Sequence, residues 1–314
     1  MAEIDLYLIA GQSNAAGFTK VRDAEALYGI APALREGFDH VLYAGNARAD
    51  ADQWKRLINR DVAWCPTRLG LGAHHEGYMG PEAGMAVVLS KRYNAESGRY
   101  AGLIKLAHGG TSLLEKRVGS NVFGNWCPPS LAKEQGIAWE GDSITGELYR
   151  LLLAQLERNA RELQQRGFDR LHLKGMYWMQ GCNNRTLPME YKHAFAHFAA
   201  DIRADAARVM ERLTGIGGGA AAMQIFVGTL SQTFFLDNAE TEEKVNIPFI
   251  EMQRSLEKEI ENCHTVDNAA YAICRWHTCL ADREALGTDC GHWNQADAFE
   301  IGKNVGNAIL TYCK

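Results

Sequence analysis

Four short segments rich in glycine and polar residues hold side chains that could do chemistry. They are Gly11-Gln12-Ser13-Asn14, Gly109-Gly110-Thr111, Gln180-Gly181 and residues 289–292. A serine hydroxyl becomes a nucleophile near neutral pH when a histidine removes its proton, and an acidic residue holds that histidine in the required tautomer. Ser13, His292 and Asp289 supply one residue of each kind. This set predicts acyl transfer through a covalent intermediate on Ser13.

The tetrahedral intermediate of acyl transfer carries a negative oxygen that needs hydrogen-bond donors. The predicted donors are the backbone N–H groups of Ser13 and Gly109 and the side-chain amide of Gln180. Three of the four segments follow apolar runs that are typical of buried strands. Parallel strands place their carboxyl ends along one edge of a sheet, so these segments can meet at one site.

Predicted strands and helices alternate along the chain without a break in composition. The predicted strands are 5–10, 101–107, 171–178, 223–230 and a fifth within 265–273, and the predicted helices are 81–89, 145–165, 188–213, 248–262 and 296–312. Such alternation is typical of parallel βαβ units with helices on both faces of one sheet. We expect a single α/β domain over residues 1–314, with a mainly parallel sheet of five strands. Irregular insertions are expected at 18–80, with short helices at 23–28 and 52–59, and at 113–142.

The four segments, in this order, resemble the SGNH hydrolase superfamily. More narrowly, they are similar to its carbohydrate O-acetylesterase branch, the relatives of sialate O-acetylesterase and acetylxylan esterase in carbohydrate esterase family six. That branch has Gly-Gln-Ser-Asn around the nucleophile, then Gly-Gly-Thr, then Gln-Gly-Glu after an aromatic-rich strand, and finally an Asp three residues before a His. The resemblance extends from residue 4 to about residue 305.

The resemblance implies a flavodoxin-like three-layer α/β/α sandwich and removal of acetyl groups from a carbohydrate, such as acetylated xylan or sialic acid. It implies no cofactor and no metal. It also supports Ser13 as the nucleophile, His292 as the general base and Asp289 as its orienting acid. For the second backbone donor, Gly109 is preferred and Gly110 is the alternative one residue further on. Substrate contacts are expected from Gln12, Asn14, His108, Asn183 and Trp293.

One position departs from the branch, because Cys182 stands where Gln-Gly-Glu has its acid. Asn183 or Asn184 could replace that acid. The departure leaves two further hypotheses open. One is an esterase or thioesterase that acts on a small non-carbohydrate acyl ester, and the other is a catalytically silent sugar-binding protein.

Cysteine and histidine residues are concentrated between positions 263 and 292. Only Cys274, His277 and Cys279 approach the spacing of a structural zinc site. A disulfide among Cys274, Cys279 and Cys290 also remains open, with free thiols as the default. Asp282 and Glu284 are the rival acids for His292, and the run 74–76 is interpreted as a loop.

Charge and hydropathy exclude some function classes. The net charge is −5 without a long run of one sign, which argues against a nucleic-acid surface. No apolar stretch reaches the ~20 residues that a membrane-spanning helix needs, so we expect no membrane partner.

Eight cysteines in 314 residues do not indicate a disulfide scaffold. A leader removed before residue 1 would allow secretion or a periplasmic location, so the compartment and the oligomeric state stay open.

Overall fold

The apolar segments of the sequence form strands that alternate with helices. The computed structural model describes residues 2–21, 33–45, 62–73, 77–114, 125–140, 143–215, 222–233, 242–271 and 291–314. In these ranges the strands are β1 (Ala2–Gly11), β2 (Thr19–Lys20), β3 (Phe38–Ala44), β4 (Cys65–Thr67), β5 (Tyr78–Met79), β6 (Tyr100–Ala107), β7 (Phe168–Met179), β8 (Gln224–Gly228) and β9 (Cys263–Val266). The α-helices there are α1 (Ser13–Ala16), α2 (Ala33–Glu36), α3 (Pro81–Leu89), α4 (Pro129–Gln135), α5 (Glu147–Gln165), α6 (Pro188–Thr214), α7 (Ile247–Glu259) and α8 (Gln295–Tyr312). A 3-10 turn covers Cys182–Asn184, and a π-helical turn covers Glu242–Asn246.

The main sheet of the described residues has seven strands in the order β4-β3-β6-β1-β7-β8-β9. All neighbouring strands run parallel except β3 and β4, which are antiparallel. Strand β1 lies at the centre, and each of its residues from Ile4 to Gly11 is buried. Burial of both faces is what a parallel sheet requires when helices cover it on each side.

The helices form two packed groups. Helix α3 packs against α8, while α6 contacts α4, α5 and α7. In α5, the predicted apolar face is confirmed, since Leu148, Leu152, Leu156 and Leu163 are all buried. No helix in the described ranges is both long enough and apolar enough to span a membrane.

The fold class expected from the alternation is confirmed, but the sheet has seven strands rather than five. The additional strands are β3 and β4, which lie in the stretch 18–80 that was expected to be irregular. Strand β3 begins with exposed or half-buried residues, including Asp39 and His40, so its apolar signal is confined to its second half. Its partner β4 has only three residues, one of them proline.

Three smaller differences concern the expected loops and the last strand. Helix α4 lies within 113–142, where no helix was predicted. Of the two candidate pieces for the last strand, residues 265–266 belong to β9, whereas Tyr271 lies outside it. The helices predicted at 23–28 and 52–59, and residues 272–273, lie outside the described residues.

Candidate active site

The first three polar segments meet because β1 lies between β6 and β7. Gly11, the last residue of β1, pairs with Ala107 on one side and Met179 on the other. Backbone hydrogen bonds also link the residues that follow these strands. The Gln12 N–H donates to the Met179 carbonyl at 2.9 Å, and the His108 N–H donates to the Gly11 carbonyl at 3.0 Å. The structure therefore brings these segments together as the sequence predicted.

Gly11 and Gln12 join the first segment to the third. Gly11 has φ of +136°, and a Cβ atom there would lie 2.1 Å from the Met179 oxygen, so only glycine fits. The Gln12 side chain is buried, and its Oε1 accepts hydrogen bonds from the N–H groups of Gly181 and Cys182, both at 3.1 Å. This oxygen joins the first segment to the third, and its two hydrogen bonds leave it unavailable to a substrate.

Ser13 is the first residue of α1 and is only half-buried. In that position its N–H has no intrahelical acceptor. Its carbonyl accepts the Gly17 N–H at 2.9 Å, which closes the single helical turn. The neighbouring Asn14 is buried, and its Nδ2 has no hydrogen-bond acceptor among the described residues.

A buried ion pair is hydrogen-bonded to the end of this turn. The sequence analysis did not identify the pair. The Lys105 ammonium donates to the carbonyls of Ala16 and Leu71 at 3.0 and 2.9 Å and to Glu82 Oε2 at 3.1 Å. Glu82 Oε1 in turn accepts the Gly80 N–H at 2.7 Å. The available signal was a lone lysine in the apolar run of β6.

The second segment places His108 beside the two candidate glycines. The His108 ring is buried, and its Nδ1 lies 2.7 Å from the Gly109 carbonyl oxygen. Burial lowers the pKa of His108, although the bond to Gly109 acts in the opposite direction. Gly109 and Gly110 are half-buried, and Gly110 has φ of +73°. Thr111 closes the turn by donating from Oγ1 to the His108 carbonyl at 2.8 Å.

Gln180 is fully buried, and its amide hydrogens are both used inside the protein. Its Nε2 donates to the Thr111 carbonyl at 3.0 Å and to Asn184 Oδ1 at 2.9 Å. Asn184 Oδ1 also accepts the Leu113 N–H at 3.1 Å, which determines the orientation of that amide. Gln180 therefore connects the second and third segments and has no N–H left for an oxyanion.

Asn183, three positions later, also carries a side-chain amide. Its Nδ2 is buried and has no hydrogen-bond acceptor among the described residues. The same atom lies 4.0 Å from the point that a Cβ of Gly110 would occupy. Asn183 thus presents a donor next to the glycines of the second segment. The sequence analysis assigned Asn183, in the polar turn after β7, to substrate binding.

Cys182 occupies the position where the resemblance places a glutamate. The residue is buried, and burial raises the pKa of its thiol to about 12. A neutral thiol of this kind does not replace a carboxylate. Cys65, Cys127, Cys182, Cys263 and Cys313 are free thiols in the described part of the chain.

His292 lies against the chain just beyond the nucleophile. Its ring stacks on Phe18 with a centroid distance of 4.7 Å and an interplanar angle of 11°. The next residue, Trp293, has a buried side chain, and its carbonyl accepts the Thr19 hydroxyl at 3.0 Å. These two contacts join the C-terminal segment to the chain that follows α1, the helical turn that begins with Ser13.

Several residues considered in the sequence analysis lie outside the described ranges. These are Asp289 and its rivals Asp282 and Glu284, the run 74–76, and the zinc or disulfide candidates Cys274, His277, Cys279 and Cys290.

Known proteins resemble this chain in sequence family and in fold. The sequence model of the family described as carbohydrate esterase, sialic acid-specific acetylesterase matches residues 3–311. A protein from Arabidopsis thaliana has a similar structure, with 16% identity, a TM-score of 0.55 and 99% of both chains covered. A carbohydrate acetylesterase from Xanthomonas citri is similar at 15% identity with a TM-score of 0.56, covering 99% of this chain but 56% of that one.

At these identities the two structures establish a shared fold. A comparison with curated protein sequences finds no match. The family match extends over nearly the whole chain and includes all four polar segments. The chain belongs to the carbohydrate esterase, sialic acid-specific acetylesterase family and is a carboxylic ester hydrolase.

Proposed function

We propose that this protein is a serine esterase that removes O-acetyl groups from a carbohydrate. The observation that carries the proposal is the junction of the segments after β1, β6 and β7, the first of which contains Ser13. Gln12 ties the first segment to the third, and Gln180 ties the third to the second. An esterase needs its nucleophile and its oxyanion donors close together, and this junction supports Ser13 and the neighbouring N–H groups in those roles.

In the proposed reaction, Ser13 Oγ attacks the acetyl carbonyl carbon while His292 takes the hydroxyl proton. Asp289 holds the His292 imidazole in the tautomer that can accept that proton. The tetrahedral intermediate then expels the sugar alcohol, which receives the proton from His292. Water, deprotonated by His292, attacks the acetyl-serine, His292 returns that proton to Ser13 Oγ as the acyl bond breaks, and acetic acid leaves and ionises in solvent.

We assign the side-chain donor of the oxyanion hole to Asn183. Both hydrogens of the Gln180 amide are already donated, whereas Asn183 Nδ2 has no acceptor among the described residues. The backbone donors in the proposal are the N–H groups of Ser13 and Gly109, with Gly110 as the alternative. Removing one such donor typically lowers kcat by about 10²–10³.

The acetyl group is proposed from the family description and from the Xanthomonas citri neighbour, which is itself described as a carbohydrate acetylesterase. Asn14 is a candidate sugar contact because its buried Nδ2 has no acceptor among the described residues. His108 is a second candidate because it lies beside the glycines of the second segment, with its Nδ1 2.7 Å from the Gly109 carbonyl oxygen.

A substrate panel tests the activity. Wild-type protein and the Ser13→Ala variant are compared on acetylated xylan, O-acetylated sialic acid and p-nitrophenyl esters with acyl chains of increasing length. We expect release of acetate from one of the two sugars, preference for acetyl among the p-nitrophenyl esters, and loss of both activities in the variant. A preference for octanoyl over acetyl esters would contradict the proposal and favour the non-carbohydrate alternative.

Labelling separates an esterase from a catalytically silent sugar-binding protein. An organophosphonate reacts with an activated serine, and peptide mass spectrometry locates the adduct. We expect the adduct on Ser13 and its loss in His292→Ala. Absence of an adduct from folded wild-type protein would favour the silent alternative.

A further inference from the structure

Two histidines and a glutamate form a cluster on the outside of the molecule. His193 and His197 lie one turn apart on α6, and Glu134 lies near the end of α4. Glu134 Oε1 is 2.9 Å from His193 Nε2, and its Oε2 is 3.0 Å from His197 Nε2. We refer to these three residues as the α4–α6 cluster.

The geometry of the cluster suits a divalent transition metal. One ligand atom from each residue lies within 4.8 Å of the others. Around a tetrahedral zinc ion with bonds of about 2.0–2.2 Å, ligand atoms are about 3.3–3.6 Å apart. The two Glu134 contacts are slightly shorter and use one carboxylate oxygen each, while one ligand atom per residue lies within 4.8 Å of the others, so side-chain rotations would bring the three atoms to these separations. Imidazole and carboxylate together are ligands that zinc accepts readily.

Neighbouring residues orient one of the histidines. His197 Nδ1 lies 2.7 Å from Ser130 Oγ, and the Ser130 N–H donates to Asp201 Oδ2 at 2.8 Å. A hydrogen bond at one ring nitrogen determines the ring orientation and directs the other nitrogen toward a metal. His197 Nε2, the atom facing Glu134, is therefore held in position before any ion binds.

We propose that the α4–α6 cluster binds a zinc ion or a similar divalent transition metal ion, which joins α4 to α6. The side chains of His193 and Glu134 are 54% and 50% exposed, so an ion can enter from solvent and keep water at its remaining position. Helix α4 follows Trp126, whose Nε1 donates to Thr111 Oγ1 at 3.0 Å. The ion thus steadies a segment that contacts the second polar segment.

Zinc titration of the metal-free protein by calorimetry tests the proposal. His193→Gln and Glu134→Gln each remove one ligand from an exposed position. His172→Gln is the matched control, because His172 lies on β7, where its Nε2 is 3.6 Å from Glu3 Oε1, and does not belong to the α4–α6 cluster. We expect wild-type and control proteins to bind zinc with equal affinity, and each ligand variant to lose at least about tenfold. Ser130→Ala should also weaken binding, by about 10–100-fold if the site follows known metal sites.

A second readout locates the ion. Crystals grown with zinc should show an anomalous peak between Glu134, His193 and His197. Esterase activity of metal-free His193→Gln should equal that of the wild type, which shows that the variant folds. Unchanged zinc affinity in both ligand variants, or a zinc peak only elsewhere in the chain, would overturn the proposal.

Discussion

Gln180 and Asn183 are three positions apart, and their amides have different surroundings. Gln180 donates both hydrogens within the protein, whereas Asn183 Nδ2 has no acceptor among the described residues. We expect Asn183→Ala to lower kcat by about 10²–10³ while leaving KM and the melting temperature nearly unchanged. Steady-state kinetics on the best acetyl ester and thermal unfolding measure these quantities.

Gln180→Ala is the matched variant for that experiment. It removes two buried hydrogen bonds and leaves Asn184 Oδ1 and the Thr111 carbonyl with fewer donors, so the free energy of unfolding should fall by about 1–3 kcal/mol. A large loss of stability in Asn183→Ala, with kcat unchanged, would show that Asn183 is structural. The oxyanion donor would then have to lie elsewhere.

The Cys182 thiol is expected to be unreactive in the folded protein. Burial raises its pKa to about 12, so at pH 8 it stays protonated, and thiolates are the reactive form. Iodoacetamide should therefore leave Cys182 unlabelled until denaturant is added, as peptide mass spectrometry can show. Rapid labelling of Cys182 in native protein would mean that this position is open to solvent and is available to a substrate.

Among the elements, α1 depends on a charge pair that lies under it. Lys105 and Glu82 are 2% and 0% exposed, and the lysine also donates to the Ala16 carbonyl at the end of α1. Lys105→Met leaves the Glu82 carboxylate buried without its cation. Breaking a buried pair in this way costs about 3–5 kcal/mol of unfolding free energy. We expect that loss in chemical denaturation, together with a reduced kcat because the turn that carries Ser13 loses its support.

Lys303→Met is the control, since Lys303 pairs with Glu300 at 2.8 Å on α8, and both side chains reach solvent (34% and 45% exposed). An exposed pair contributes about 0–1 kcal/mol, so this variant should be close to wild type. The double variant Lys105→Met/Glu82→Gln should regain part of the loss because no unpaired charge remains. Equal effects of Lys105→Met and Lys303→Met would contradict a supporting role for the buried pair.

The regular elements could be predicted where local pattern and burial agree. Strand β1 is a continuous apolar run, and α5 has leucines at helical spacing, so both were predicted within a few residues. Strand β3 was not predicted, because it is polar in its first half. It gains its stability from pairing with β6 and from a three-residue partner, neither of which is visible locally.

At the scale of the whole molecule, α3 and α8 pack against each other, and each is joined to part of the site. Glu82 lies in the first turn of α3, and α8 follows directly after the segment that holds His292. A Cβ on Gly302 would lie 2.3 Å from the Pro81 carbonyl oxygen, so the helices touch through their backbones. In an isolated helix Gly302→Ala would gain about 1 kcal/mol. Here we expect a net loss of about 1–3 kcal/mol from overpacking, measured by denaturation. The kcat should fall as well, because α8 begins three residues after His292.

Asn307→Ala is the control for that variant, since Asn307 lies on the exposed side of the same helix. It should leave stability and kcat close to wild type. If Gly302→Ala instead raised stability, the close approach of α3 and α8 would not be needed for folding. The proposed link from that contact to His292 would then fail.

The amino-acid sequence alone determined the alternation of strands and helices, the fold class and the segment that holds Ser13. These are properties of local apolar pattern and of glycines at strand ends. The tertiary structure decided which polar groups are already bonded. Gln12 bonds residues about 170 positions away, and Gln180 bonds a residue 69 positions away. Whether an amide can serve a substrate depends on such distant partners, and they are set only when the sheet brings β1, β6 and β7 together.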